Sequence, residues 1–283
     1  MSGPSSPPSP GRSAPFPPGR SHVPSPGQPS TAPPGRPSPP RQAPGWSSSP
    51  PGLLNGRPPG LPGWFEPLLT RVTQTSAEDF TLLQPPDTGG RPSAVLVLLG
   101  EQNPGEPDVL VLQRAATMRN HAGQPAFPGG AADPGDRDPA DTALREANEE
   151  VGLDPASATV LALLPKLWIP VSSFVVTPVL AWWHAPHPVH AQDPAEVAHV
   201  ARLPVAELVD PRNRIRVRHP RSGYVGPAFQ VRGMLVWGFT AGVIAKLLEL
   251  AGWNRPWNPT RVLDLPDVAP VPAEDGSPDD VIS

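Results

Sequence analysis

The stretch Gly129–Leu153, GGAADPGDRDPADTALREANEEVGL, decides how this chain is read, because Glu146, Glu149 and Glu150 fall at one helical address. At about 100° per residue, Glu149 and Glu150 lie within roughly 60° and 40° of Glu146. Three carboxylates on one face repel one another and raise each other's pKa unless a cation sits among them, so the arrangement reads as a hard-metal site for Mg²⁺ or Mn²⁺. Oxygen donors also disfavour zinc. Asp138 or Asp141 can cap a helix beginning near Pro139 or Ala140, an apolar stripe of Ala143, Leu144, Ala147 and Val151 can dock it, and Gly152 ends it. Arg145 is a fixed counter-charge that orients one carboxylate through a forked pair of hydrogen bonds. A merely solvated acidic helix face is the plainer alternative. The Gly-Gly just upstream argues against it.

The same residues resemble the signature of the Nudix hydrolases: Gly, five residues, Glu, seven residues, then Arg-Glu-aliphatic-x-Glu-Glu-x-Gly-aliphatic. Counted from Gly130, the chain departs twice, with Asp136 in place of Glu and Arg145 one residue late. The segment Leu112–Gly130 resembles the added signature of the coenzyme A diphosphatase branch, Arg-x4-Arg-x3-Gly-x3-Phe-Pro-Gly-Gly, carried here by Arg114, Arg119, Gly123, Phe127 and Pro128-Gly129-Gly130. The resemblance spans residues 92 to 252. It implies an α/β fold, a Nudix-type α/β/α sandwich with a mixed sheet, and metal-dependent hydrolysis of a diphosphate linked to an organic moiety. It further implies Glu146 and Glu150 as direct metal ligands, joined by the Gly130 carbonyl, and Glu149 as a third ligand or the base that deprotonates water. Glu196, beside a strand, is a second candidate base. Arg114 and Arg119 would bind substrate phosphates, while Gly123 and Phe127 shape the loop and its apolar wall. The implied substrate is coenzyme A or acyl-coenzyme A, cut to 3′,5′-ADP and (acyl-)4′-phosphopantetheine. ADP-ribose and nucleoside triphosphates are the alternatives. A non-catalytic binding module with a partner-recruiting tail is an alternative of another class, against which the intact Glu triad argues.

Composition divides the chain into three parts. Residues 1–60 hold 20 prolines, five arginines, no acidic residue and few large apolar side chains, which cannot bury a core, so they read as a disordered tail. Its prolines could serve as a PxxP-type ligand. Residues 61–260 have the size of one domain, and residues 261–283 read as an acidic flexible tail. Arg12, Arg20, Arg36, Arg41 and Arg57 give the first part a charge of +5, so the remainder of a chain with net charge −4 carries −9. That balance excludes nucleic acid as a partner of the folded part. Absent cysteine removes disulfides, thiol catalysis and Cys-ligated zinc. No apolar run of about 18 residues and no leader h-region are apparent, which points to a cytoplasmic protein without a membrane partner. Nothing in the sequence opposes a homodimer.

Within the central part, Trp64–Leu69 and Ala77–Leu82 read as short helical or irregular entry segments. Ala94–Leu99 and Val109–Arg114 read as a strand pair, and Thr159–Trp168, Phe174–His184 and Glu196–Arg202 as further strands. A short helix is expected near Pro204, a hairpin over Ile215–Arg218 and Ala228–Val231, and a closing amphipathic helix over Gly233–Ala251. His184, His187 and His190 are separated by prolines and read as a solvated loop rather than a metal site. Trp182, Trp183, Trp237, Trp253 and Trp257 read as core or rim packing. Arg212, Arg214, Arg216 and Arg218 alternate at strand period, either as a phosphate-facing surface or as a charged edge strand. Deleting residues 1–60 is expected to leave the melting temperature and hydrolytic activity nearly unchanged. A fall of more than a few degrees would show that this stretch packs on the domain.

Overall fold

The computed structural model describes residues 52–53, 56–80, 85–86, 89–118, 122–220 and 222–265. The readings for the proline-rich stretch before residue 52, for Thr81 and Leu82, for Arg119 and for the chain after residue 265 lie outside the described residues. Strand β1 (Gly52–Leu53) is followed by α1 (Glu66–Val72) and α2 (Ala77–Phe80), then by the long strand β2 (Arg91–Asn103) and by β3 (Glu106–Arg114). Next come β4 (Pro125–Ala126), β5 (Gly129–Ala131) and helix α3 (Pro139–Val151), then β6 (Ala158–Leu163), β7 (Leu167–Ile169) and β8 (Phe174–Trp183). Strand β9 (Val197–Pro204) and α4 (Val205–Leu208) lead to β10 (Arg214–Arg218), β11 (Val225–Val231), β12 (Met234–Val236), α5 (Gly238–Leu250) and β13 (Val262–Asp264).

The main sheet runs in the order β1-β6-β8-β2-β3-β4, with β5 on β2, β7 on β8 and β9 on β3. It is mixed: β2 and β8 are parallel, whereas β3, β5, β6 and β9 join their neighbours antiparallel. Period-two alternation divides its apolar residues between two cores. Ala94, Leu96 and Leu98 of β2, Leu110 and Leu112 of β3, and Val179, Ala181 and Trp183 of β8 meet Ala143, Ala147 and Val151 of α3. On the other face Val97, Leu99, Val109, Val111 and Leu180 meet α1 and α5. Helices on both faces of a mixed sheet make the expected α/β/α sandwich. Among the described residues no helix is long and apolar enough to cross a membrane.

Four readings change. Gly52 and Leu53 pair with Leu163 and Ala162, so the end of the 1–60 stretch lies on the sheet and the dispensable part stops before it. The single strand expected over Thr159–Trp168 is broken at Pro165, which has no N–H for the ladder, and resumes as β7 against β8. The closing helix starts only at Gly238, because Arg232 and Gly233 (φ 51 and 76) form a two-residue turn that folds Met234–Val236 back onto β11. Arg232 is held in that conformation by two bonds to Glu207, at 3.1 and 3.0 Å. Finally, β10 is neither an edge nor a cationic face, since it lies between β11 and β13 in a second sheet. Its arginines are spent internally. Arg214 is buried over the rings of Phe229 and Trp257 and donates to Asn254 at 2.6 Å, while Arg216 donates to the Val225 carbonyl and Arg218 meets Asp264.

Candidate active site

Helix α3 is defined by its ends. Asp138, in an extended conformation, accepts the Asp141 N–H at 2.9 Å, Pro139 occupies the first helical position, where no N–H is needed, and Gly152 closes the helix at φ 70. The stripe Ala143, Ala147 and Val151 is fully buried, and this places Glu146 and Glu150, one turn apart, beside the Gly129-Gly130 edge of β5. Gly129 is pressed against the β2 backbone, and a side chain on Gly130 would displace the Glu146 carboxylate. A Cβ on Gly129 would stand 2.3 Å from the Ala94 carbonyl oxygen, and one on Gly130 would stand 2.4 Å from the Glu146 carboxylate. The Gly129 N–H donates to Glu150 Oε2 at 3.0 Å, and the Gly130 carbonyl accepts the Ser93 hydroxyl at 2.6 Å.

One guanidinium organises the acids around this edge. Arg145 donates through Nε and Nη2 to the two oxygens of Asp136, both at 3.1 Å, and through Nη2 to the Ala131 carbonyl. Its Nη1 stands 3.0 Å from both Glu146 Oε1 and Glu149 Oε2. Asp136, whose side chain is 6% exposed, also accepts the Thr142 hydroxyl at 2.7 Å and the Asp133 N–H at 2.8 Å. The two departures from the motif therefore compensate: a shorter acid on a loop longer by one residue still engages Arg145 with both oxygens. Burial pushes Asp136 up, but the Arg145 fork, the Asp133 N–H and the Thr142 hydroxyl outweigh it and hold the carboxyl below its ordinary range.

The carboxylates differ in what surrounds them. Burial raises Glu146 despite Arg145. Burial, aided by Glu146 and Glu196, pushes Glu150 up to about 7 against the opposing pull of the Gly129 N–H and Arg114. Glu149, with its side chain 57% exposed, is held on the outer flank by Arg145. The structure thus brings Glu146 and Glu150 together and draws Glu149 aside. Among the described residues no three His, Asp or Glu side chains are gathered tightly enough to hold an ion between them. Two half-buried carboxylates one helical turn apart, each costly to keep charged, nevertheless form an all-oxygen donor set that a hard divalent cation would stabilise.

Arg114 ends β3, and among the described residues its buried Nε has no hydrogen-bond partner. Gly123 closes the turn behind it, accepting Gln113 Nε2 at 3.3 Å. Phe127 is 3% exposed in the core on the α5 side, so it anchors the loop from beneath rather than lining an open wall. Glu196, exposed at the start of β9, accepts the Ala115 N–H through its carbonyl at 2.8 Å, and its carboxylate is near enough to Glu150 to raise it. Two features carried no sequence signal. One is the Ser93 hydroxyl on Gly130. The other is the loop before β9, which clamps the last turn of α3 through His190 N–H to the Val151 carbonyl (3.1 Å) and Gln192 N–H to the Glu150 carbonyl (3.0 Å). The histidines of that loop make no shared site, since His187 Nε2 accepts the Asp154 N–H at 3.1 Å. Trp183 is core, bonded to Ser157.

The family model described as NUDIX domain matches residues 90–222. "Uncharacterized Nudix hydrolase NudL" of Cronobacter sakazakii is 40% identical over 163 residues, 56% of this chain and 81% of that protein. Its namesake from Citrobacter koseri is 38% identical over 178 residues, 59% of this chain and 88% of its own length. Among solved structures, a Nudix hydrolase from M. smegmatis, RenU, aligns over 59% of this chain and 89% of its own, at 21% identity and a TM-score of 0.39.

Since the folded pKa of Asp136 lies below its ordinary value, its charged form stabilises the fold above about pH 4, and that contribution is lost as pH falls through the folded value. Asp136→Asn is therefore expected to lower unfolding free energy at pH 7 by about 1–3 kcal/mol. In urea titrations at stepped pH, the gap between variant and wild type should close toward pH 3. A gap that persists unchanged there would mean that Asp136 acts through packing alone.

Proposed function

The chain belongs to the Nudix hydrolase family, and from that premise we propose that its substrate is coenzyme A or an acyl-coenzyme A, hydrolysed at the diphosphate to 3′,5′-ADP and (acyl-)4′-phosphopantetheine. Hydrolysis of a nucleoside diphosphate-linked substrate follows from the family. The narrower reading is supported by Arg114: it begins the pattern Arg-x4-Arg-x3-Gly-x3-Phe-Pro-Gly-Gly, its buried Nε has no hydrogen-bond partner among the described residues, and its charge acts on Glu150. A buried donor without an acceptor costs about 1–3 kcal/mol, and a phosphate oxygen would recover it.

Phosphoanhydride hydrolysis is mainly a matter of position and charge. A bound Mg²⁺ or Mn²⁺ would neutralise phosphate oxygens and lower the pKa of water. Glu146 and Glu150 would hold that ion, with the Gly130 carbonyl at their side and Glu149 joining once it leaves Arg145. Arg145 keeps Glu146 oriented through its anchor on Asp136. Arg114 and Arg119 would bind the substrate phosphates, with Gly123 and Phe127 fixing the loop between them. Of the two candidate bases, Glu149 is tied to Arg145, whereas Glu196 has no ion pair among the described residues and stands near Glu150. Glu196 is thus the side chain better placed to take the proton from water.

Glu150→Gln, and similarly Glu146→Gln, should lower turnover by roughly 10² or more while the far-UV spectrum and melting temperature stay close to wild type. Near-normal turnover of Glu150→Gln at saturating substrate and Mg²⁺ would place the site elsewhere.

Initial rates on coenzyme A, dephospho-coenzyme A, ADP-ribose and a nucleoside triphosphate at fixed Mg²⁺ test the substrate. The highest kcat/KM is expected on coenzyme A. Arg119→Ala should cost about 10- to 150-fold on coenzyme A and less on the others, with Arg119→Lys recovering part of it. A wild-type preference for ADP-ribose would overturn the coenzyme A reading, and equal losses on all four would assign Arg119 to loop structure.

A further inference from the structure

Beyond the carboxylates, β9 leads to an open cavity of about 370 Å³ between residues 186–189 and Val200–Arg202. Val189 and Val200 pack in the cluster beneath α3, so the cavity opens on the same face of the sheet as the acidic helix. Glu196 and Val200 are four positions apart along the strand, roughly 13 Å at the usual rise. The volume falls within the usual range of small-molecule sites.

The charges around the cavity cancel. Arg202 lies over the Trp183 ring at 4.6 Å, donates from Nε to Asp108 Oδ1 at 3.0 Å and holds Nη2 2.8 Å from Oδ2 as an ion pair. The Asp108 carboxylate offsets the guanidinium's charge within the pair, and Nη2 is buried without a hydrogen bond among the described residues. His187 accepts from Asp154 N–H through Nε2 and donates from Nδ1 to the Pro188 carbonyl at 3.0 Å, so both of its nitrogens are taken in the neutral form. The rest of the wall is proline, valine and alanine. A neutral wall with spare N–H donors suits an uncharged chain that carries carbonyl acceptors, and does not suit a second phosphate.

We infer that this cavity receives the neutral, amide-bearing arm of the substrate, the pantetheine end of coenzyme A, and that Val200 sets how much of that arm fits. The inference rests on the coenzyme A reading for the identity of the arm. Its test begins with pantetheine alone, without nucleotide or metal, titrated into the full chain and followed by saturation-transfer NMR. Wild type should bind, and Val200→Phe, which narrows the cavity from its floor, should weaken binding at least five-fold. Pro188→Trp, on the exposed rim, serves the same purpose if Val200→Phe fails to fold. No binding by wild type, or equal binding by a folded variant, overturns the inference. In turnover, Val200→Phe should lower kcat/KM for coenzyme A about ten-fold, chiefly through KM, and leave ADP-ribose, which lacks the arm, within two-fold. Equal change on both substrates also overturns it. If pantetheine binds as expected while coenzyme A is not cleaved, the substrate reading falls and the cavity assignment stands. If coenzyme A is cleaved while the folded variants match wild type, the reverse holds.

Discussion

The grip of Asp136 on Arg145 is the interaction on which the site depends. One guanidinium touches three parts of the chain: the loop that carries Asp136, the Ala131 carbonyl on β5, and Glu146 and Glu149 on α3. Its two bonds to a nearly buried carboxylate are charge-assisted, each of the stronger kind, and the Thr142 hydroxyl and Asp133 N–H fix the acceptor in turn. A helix docked only by alanine and valine could slide or roll on the sheet. The fork sets its register, and with it the place of Glu146 and Glu150 over the glycine edge.

That edge explains why the acids can be buried at all. With no side chains on Gly129 and Gly130, the strand passes directly under the helix, and a backbone N–H reaches Glu150. Arg145 stands 3.0 Å from Glu146 but is shared with Asp136 and Glu149, and burial still raises both Glu146 and Glu150. The protein thus places two acids close to Arg114, whose buried Nε has no hydrogen-bond partner among the described residues. Cation and phosphate would each find there the opposite charge they need.

Helix α3 was legible because its signals are local: Asp138 before Pro139, a stripe at helical spacing, and Gly152 in the left-handed conformation. The strands β2, β3 and β8 were legible as apolar runs, and their two-sided burial places them at the centre of the sheet. Met234–Val236 was misread since three apolar residues before a helix look the same in either period, and the turn at Arg232-Gly233 decides between them. The outward position of Glu149 was invisible for another reason. Helical angle puts it near Glu146, but Arg145 at i−4 competes for its carboxylate, and the winner depends on Asp136 nine residues before Arg145. The clamp of the His190–Gln192 loop on α3 and the Arg202–Asp108 pair join residues far apart in sequence, where periodicity has nothing to say.

The alternation of β2, β3 and β8 has a consequence for motion. Each strand feeds side chains into both cores, so neither layer can be stripped away without exposing the wall of the other. Detaching α3 would uncover most of one core and break its clamps at both ends, at a cost approaching that of global unfolding. Its amide protons should accordingly be among the slowest in the protein to exchange with deuterium, and the acids it carries should behave as a rigid template to which an incoming molecule must adapt.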